Sequence, residues 1–348
     1  MGGESTGSSS EGTETTATTA STSSTSGTTA GETTSTTATT TGTTGDPPGD
    51  PVVLVDPCVR CRQLVLDDTH VYFTALGPTN TDNAGYLAKV PKAGGEVTTL
   101  ASGLIGPSDL AHRDGVVYWV DFKRGAVESV SVDGDGYTLI TGEAIHPTDV
   151  DVDDLHVYWV DAGNAMQLDG SLSRAPVGGG PPEALIGGLD QPQTIAVVGE
   201  SVVWVAGDAV WAMPKDGGVA TMVVMDPHLP WTLVGEAGHL LYWTSKGPIL
   251  GDGSIQRIDL LGGPIEPLVT GLDVPWDLAI DGDRIFWTNL EIDQTILYAD
   301  KDGGDPLIAL EDQIRPEGIA VDDTHIYWAD FGTVPDFTSG RLARLPKS

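Results

Sequence analysis

An aromatic pair returns along this chain at nearly even intervals, and no other feature limits the possible folds so strongly. It stands at Tyr72-Phe73, Tyr118-Trp119, Tyr158-Trp159, Tyr242-Trp243, Phe286-Trp287 and Tyr327-Trp328, and Val203-Trp204 fills the one remaining place. Successive units are 46, 40, 45, 39, 44 and 41 residues apart. A period of roughly 40–45 residues is that of one four-stranded propeller blade.

Each unit repeats the same internal order. A proline opens a short apolar strand, as in Pro107-Ser108-Asp109-Leu110-Ala111, Pro147-Thr148-Asp149-Val150 and Pro275-Trp276-Asp277-Leu278-Ala279. This is the expected innermost strand. An Asp/Gly turn such as Asp153-Asp154 or Asp281-Gly282-Asp283 leads into the aromatic strand, whose alternating apolar residues suit a half-buried sheet. A third strand follows, for example Ser254-Ile255-Gln256-Arg257-Ile258, and then a short fourth, for example Glu266-Pro267-Leu268-Val269.

The last unit stops after its third strand, at Arg341–Pro346, so one fourth strand is missing at the C-terminus. Val52-Val53-Leu54-Val55 stands before the first inner strand, where an extra strand is left over. Pairing the two ends closes the ring and removes an exposed edge. The expected fold is all-β: a seven-bladed β-propeller of four-stranded blades, closed by Val52–Val55 on the C-terminal strand.

Residues 1–50 are of another kind. They hold 28 Ser or Thr, six acidic residues, no Lys or Arg and no aromatic side chain. Such a segment cannot offset its conformational entropy by burial, and is expected to be a disordered stalk or linker. Residues 51–348 are the propeller, and they carry most of the acidity of a chain with 50 acidic against 17 basic residues and a net charge of −33. Nucleic acid is therefore an unsuitable partner, since its phosphates demand clustered Lys and Arg. No apolar run reaches the roughly 18 residues of a membrane-spanning helix. The Thr-rich stalk suits a spacer on a cell surface, so export is expected, with a signal sequence, of lipoprotein kind, upstream of this start and a lipid anchor as one possible tether.

Cys58-Val59-Arg60-Cys61 has the C-x-x-C spacing without a thioredoxin-like context or a second pair for zinc. A local disulfide, Cys58–Cys61, is expected, in keeping with an oxidising compartment.

Tyr118-Trp119-Val120-Asp121, Tyr158-Trp159-Val160-Asp161 and Tyr327-Trp328-Ala329-Asp330 resemble the YWTD motif of the low-density-lipoprotein-receptor class B propellers. That resemblance covers residues 51–348. It implies extracellular members that bind protein ligands on one face of the disc, with the motif residues mainly structural. The family has six blades and this chain counts seven. The motif also decays, to Val203-Trp204-Val205-Ala206 and Tyr242-Trp243-Thr244-Ser245. Seven-bladed bacterial relatives, including the streptogramin B lyase group, are similar in outline.

In such a ring the loops entering the inner strands and those joining second to third strands gather at one mouth of the channel. After the entry prolines stand Ser108, Thr148, Gln193, Trp231, Trp276 and Glu317, followed at the next position by Asp109, Asp149 and Asp277 in three units. Aromatics with acidic neighbours suit a cationic, sugar or peptide ligand. The same residues also suit packing between blades and the capping of turns. His146 and His228 lie in entry loops and are candidates for a general base or metal ligand, whereas His70, His156 and His325 share one repeat position on the opposite face. Asp133-Gly134-Asp135-Gly136 and Asp300-Lys301-Asp302-Gly303 lack the spaced ligand series of a calcium loop and read as turns.

The expected function is non-catalytic binding of a protein, peptide or glycan at the loop face by a monomer of the cell envelope or secreted space, with no catalytic residue assigned. No cofactor is required, although calcium or magnesium would suit the carboxylates at the mouth. The alternative is a metal-assisted lyase or hydrolase there, using His146, His228 and nearby carboxylates.

Overall fold

The computed structural model describes residues 49–79, 83–225, 228–236, 238–290 and 294–347. The Ser/Thr-rich stretch, up to residue 48, lies outside the described residues. Among the described residues, 28 strands and no helix form seven four-stranded antiparallel sheets. Six of the sheets are runs of four consecutive strands. The seventh takes its inner three strands, Pro316–Val321, His325–Asp330 and Arg341–Pro346, from the C-terminus and its outer strand, Val52–Val55, from the start of the propeller. Val52 pairs with Arg344 and Val53 with Ala343, antiparallel, so the expected closure is the observed one.

The aromatic pair works by the two-residue period of a strand, which sends neighbouring side chains to opposite faces of the sheet. Tyr158 packs into the next blade with Val202 and Trp204, while Trp159 packs into the preceding one with Tyr118 and Val120. The same alternation holds for Tyr72 and Trp119, for Tyr242 and Trp287, and for Phe286 and Trp328. The last junction joins Tyr327 of the seventh blade to Phe73 of the first. Seven separate apolar clusters thus fill the seven blade junctions, and the core is a ring of seams rather than one central mass. Val203 takes the place of the first aromatic in the fourth blade and packs with Trp243.

Polar side chains lock the two faces of the disc. Away from the channel mouth, Asp67, Asp153 and Asp322 cap the turn between the first two strands of their blades: each accepts backbone N–H groups and a hydroxyl from Tyr72, Tyr158 or Tyr327. His70, His156 and His325 are residues of these turns, as the repeat position implies. Lysines of a neighbouring blade reach the same acids, Lys92 to Asp322 at 2.8 Å and Lys215 to Asp153 at 3.0 Å. At the mouth the motif Asp121 accepts the amides of Ile105 and Gly106 at 2.8 Å each, and so holds the linker from the preceding blade. Asp133–Gly136 and Asp300–Gly303 are hairpin turns. Much of the acidity is therefore engaged in turns.

Candidate functional site at the channel mouth

The inner strands surround a central cavity of about 530 Å³. Its rim follows one repeat position, just after the entry residue of each blade: Arg62, Ser108, Thr148, Gln193, Trp231, Trp276 and Glu317 all line it. Arg62 belongs to this ring because Cys61 takes the place of the entry proline, facing Ala75 as Pro107 faces Asp121. The first unit lacks the proline, which hid Arg62 and Gln63 from the sequence pattern. Aligning Cys61-Arg62-Gln63 with Pro107-Ser108-Asp109 is the signal that finds them.

Below the rim, Asp109, Asp149 and Asp277 line the cavity and also staple the blades. Asp149 accepts the amide of Ile195, and Asp277 that of Ile319, each at 2.9 Å and each on the next blade. Asp109 accepts the amide of Val150 at 3.3 Å. Asp151, two residues further along the same strand as Asp149, accepts the amide of Val197 at 2.7 Å. Inner strands of adjacent blades do not pair with each other, so these carboxylates satisfy amides that no ladder reaches. Their surroundings resist charge. Burial pushes Asp277 up to about 7 against the pull of the Ile319 and Leu278 amides, and Asp151 up to about 6. Burial, then the nearby Asp149, raises Asp109 well above the usual carboxylate range.

Trp231 and Trp276 come together as expected, with ring centroids 4.8 Å apart and planes tilted by 43°. Lys246, which follows the second strand of the fifth blade, places its ammonium 2.9 Å from the Trp231 centroid and 3.9 Å from that of Trp276. The cation that the aromatic pair suits is thus supplied by the chain itself.

Glu317, at the same repeat position in the seventh blade, is buried between Arg62 at 3.3 Å and Arg315 at 3.7 Å. Burial raises its pKa, and both guanidinium groups pull it back. His146 and His228 do not line the cavity. The His146 ring stacks on Phe122 at 4.9 Å and its Nδ1 lies 2.9 Å from the Gly163 carbonyl, while the His228 carbonyl accepts the amide of Gly247. The histidines and Glu317 therefore do not converge on one space. Among the described residues no three His, Cys, Asp or Glu side chains are grouped as metal ligands.

A backbone device builds the outer ring of the mouth. Arg60, His146, Leu229, Val274 and Arg315, each just before an inner strand, have φ of 59°, 59°, 60°, 50° and 58°. Positive φ is uncommon outside glycine. Here it turns each carbonyl toward the amide just past the second strand, at Leu76, Ala162, Lys246, Leu290 and Phe331 respectively, over 3.0–3.4 Å. The bond ties entry loop to exit loop, and the two side chains of the ring become neighbours across blade boundaries, as Phe122 and His146 are. Beside this ring, Cys58 and Cys61 form the expected disulfide, with both residues fully buried.

No family model matches the chain, and no curated protein matches it. Among solved structures, an oligogalacturonate lyase in complex with manganese is similar, with a TM-score of 0.64 and 13% identity over 87% of this chain and 97% of that one. A computationally designed protein, Ika8, has a TM-score of 0.58 and 15% identity over 85% of this chain and 98% of its own. A nidogen/laminin complex reaches a TM-score of 0.49 and 19% identity over 60% of this chain and 82% of its own. At such identities the likeness concerns the fold, and the fold is a seven-bladed β-propeller.

Proposed function

We propose that the protein is a non-catalytic binding propeller that takes a protein or peptide ligand on the loop face around the channel mouth. The observation that carries this is that exposed apolar side chains stand on the loops around the mouth, beside the aromatic pair at its rim. Phe122, Ile145, Met166, Leu168, Leu229, Ile249, Leu250 and Val334 stand exposed on entry loops or on second-to-third-strand loops. Apolar side chains exposed on loops around a cavity suit an interaction site. Trp231 and Trp276, half-buried at the rim, extend the same surface into the cavity. The Cys58–Cys61 disulfide supports an exported protein, at the cell envelope or beyond it.

Capture of the native ligand from the envelope by the full chain tests this proposal. The Trp231→Ala/Trp276→Ala variant is expected to lose capture with little change in melting. Undiminished capture overturns the role of the mouth.

A catalytic reading has one observation in its favour, the Asp277 carboxyl held near 7 inside the cavity, where a general acid or base is suited to work. Turnover of any polysaccharide that Asp277→Asn abolishes without loss of fold would establish it.

A further inference from the structure

We infer that Arg60, Arg62 and Arg315 form the anchor for a carboxylate of a bound peptide, at the seam where the seventh blade meets the first. This rests on the loop face being the binding face, and names the chemistry it recognises there. The chain has 17 basic residues against 50 acidic ones, yet three of its arginines meet at this seam. Among the described residues Glu317 is the one carboxylate in ion-pair reach of them, shared by Arg62 and Arg315. The seam therefore keeps a local excess of positive charge on a strongly acidic molecule.

The guanidinium groups are held ready by aromatic rings. Arg60 Cζ lies 5.6 Å from the Phe331 centroid and 5.8 Å from that of Phe337, and Arg315 Cζ lies 4.9 Å from Phe331 on its own account. Stacking of this kind restrains the plane of a guanidinium while its N–H groups remain in that plane, where they match a carboxylate in forked fashion. Arg60 has no carboxylate within ion-pair distance among the described residues, and its Nε is buried without a hydrogen-bond acceptor. Burial, then the neighbouring Arg62, lower the Arg60 pKa, and Glu317 pulls it back up.

The surroundings favour a peptide over an acidic sugar. Phe331 and Phe337 flank the guanidinium groups, and Val334 on the same loop is 72% exposed. An Asp or Glu side chain flanked by an apolar residue would fill both surfaces at once.

The test pans a phage-displayed library of random dodecapeptides on the full chain and measures the enriched peptides, made synthetically, by fluorescence polarisation. Enriched peptides are expected to share an Asp or Glu next to an apolar residue. Arg60→Gln and Arg315→Gln are each expected to weaken binding about tenfold or more, and Arg113→Gln, remote and exposed, to leave it unchanged. Gln191 holds the equivalent place before Pro192 with φ of 43°, so glutamine is compatible with that backbone, and a melting curve confirms the fold. Arg60→Lys, which keeps the charge and loses the fork, is expected to recover only part of the affinity.

Enrichment of neutral peptides, or of acidic ones indifferent to Arg60→Gln and Arg315→Gln, overturns the anchor and leaves the binding face standing. Binding of a labelled polyuronate, lost in Arg60→Gln, with no peptide enriched overturns the choice of a peptide. No enrichment and no polyuronate binding overturns the anchor and the binding face together.

Discussion

The carboxylate of Asp149 accepts the backbone N–H of Ile195 at 2.9 Å across a blade boundary, and so does structural work from a position that also faces the cavity. Its second oxygen accepts the amide of Val150 at 2.7 Å. Replacing Asp149 by Ala leaves the Ile195 amide without its acceptor and the Val150 amide with only Asp109, at 3.3 Å. A loss of about 1–3 kcal/mol is expected, read as a lower denaturation midpoint with an unchanged slope. Stability equal to the parent would show that the staple contributes nothing.

The pH dependence has a definite sign. Asp277 titrates at about 7 in the folded chain against an ordinary value of 3.8. Between those values the folded state binds more protons than the unfolded one, so this group's contribution to stability falls as pH rises through that window. Asp151 and Asp161, each at about 6 through burial, act in the same direction. Asp67 acts oppositely. Burial pushes it up, but the Tyr72 hydroxyl and the amides of Thr69 and His70 outweigh burial and hold it at about 2, so its contribution is lost as pH falls from about 4. Melting temperature is expected to fall between pH 5 and 8, and to fall less steeply in Asp277→Asn. Parallel profiles for parent and variant would contradict the assignment.

The two classes of tryptophan should separate cleanly. Trp159, 2% exposed between two blades, is expected to cost about 3–5 kcal/mol when replaced by Ala. Trp276, half-buried at the rim, is expected to cost much less, because its neighbour Lys246 and the solvent can take up its space. Chemical denaturation of both variants gives the comparison, and similar losses would place Trp276 in the core.

How much of this was legible in the sequence depended on whether the repeat carried the information. Tyr158 and Trp159 announced the strand, but a half-buried sheet was expected and both faces are buried, because each lies in a seam between blades. Val52–Val55 was legible by counting strands. Lys246 over Trp231 was not, since contact across the rim leaves no spacing rule between a loop lysine and two entry residues. The ring of positive φ was hidden for another reason. Arg60, His146, Leu229, Val274 and Arg315 share a backbone conformation but no side-chain type, and the device works through their carbonyls. Asp109, Asp149 and Asp277 were singled out in the sequence as ligand-binding candidates and line the cavity, but their bonds to the next blade follow from ring geometry alone.

Ring closure can be tested by its removal. Deleting Val52–Val55 exposes the edge at Arg341–Pro346, an unpaired strand able to recruit another chain. Lower melting and concentration-dependent association are expected. A monomeric variant of unchanged stability would show that the closing strand is dispensable.

The disulfide closes so short a loop that its entropic contribution is at most about 2 kcal/mol. The Cys58→Ser/Cys61→Ser variant is expected to fold, with a modestly lower melting temperature. Failure to fold would show that the buried pair organises the first blade.

The most direct measurement is hydrogen exchange on the full chain with and without its captured ligand. Slower exchange is expected in the entry loops before Cys61, Pro230, Pro275 and Pro316 and in the second-to-third-strand loops, with no change in the turns at Asp67–His70, Asp153–His156 and Asp322–His325. Protection at those turns or along the outer strands, with the loops around the mouth unaffected, would contradict a binding site at the channel mouth.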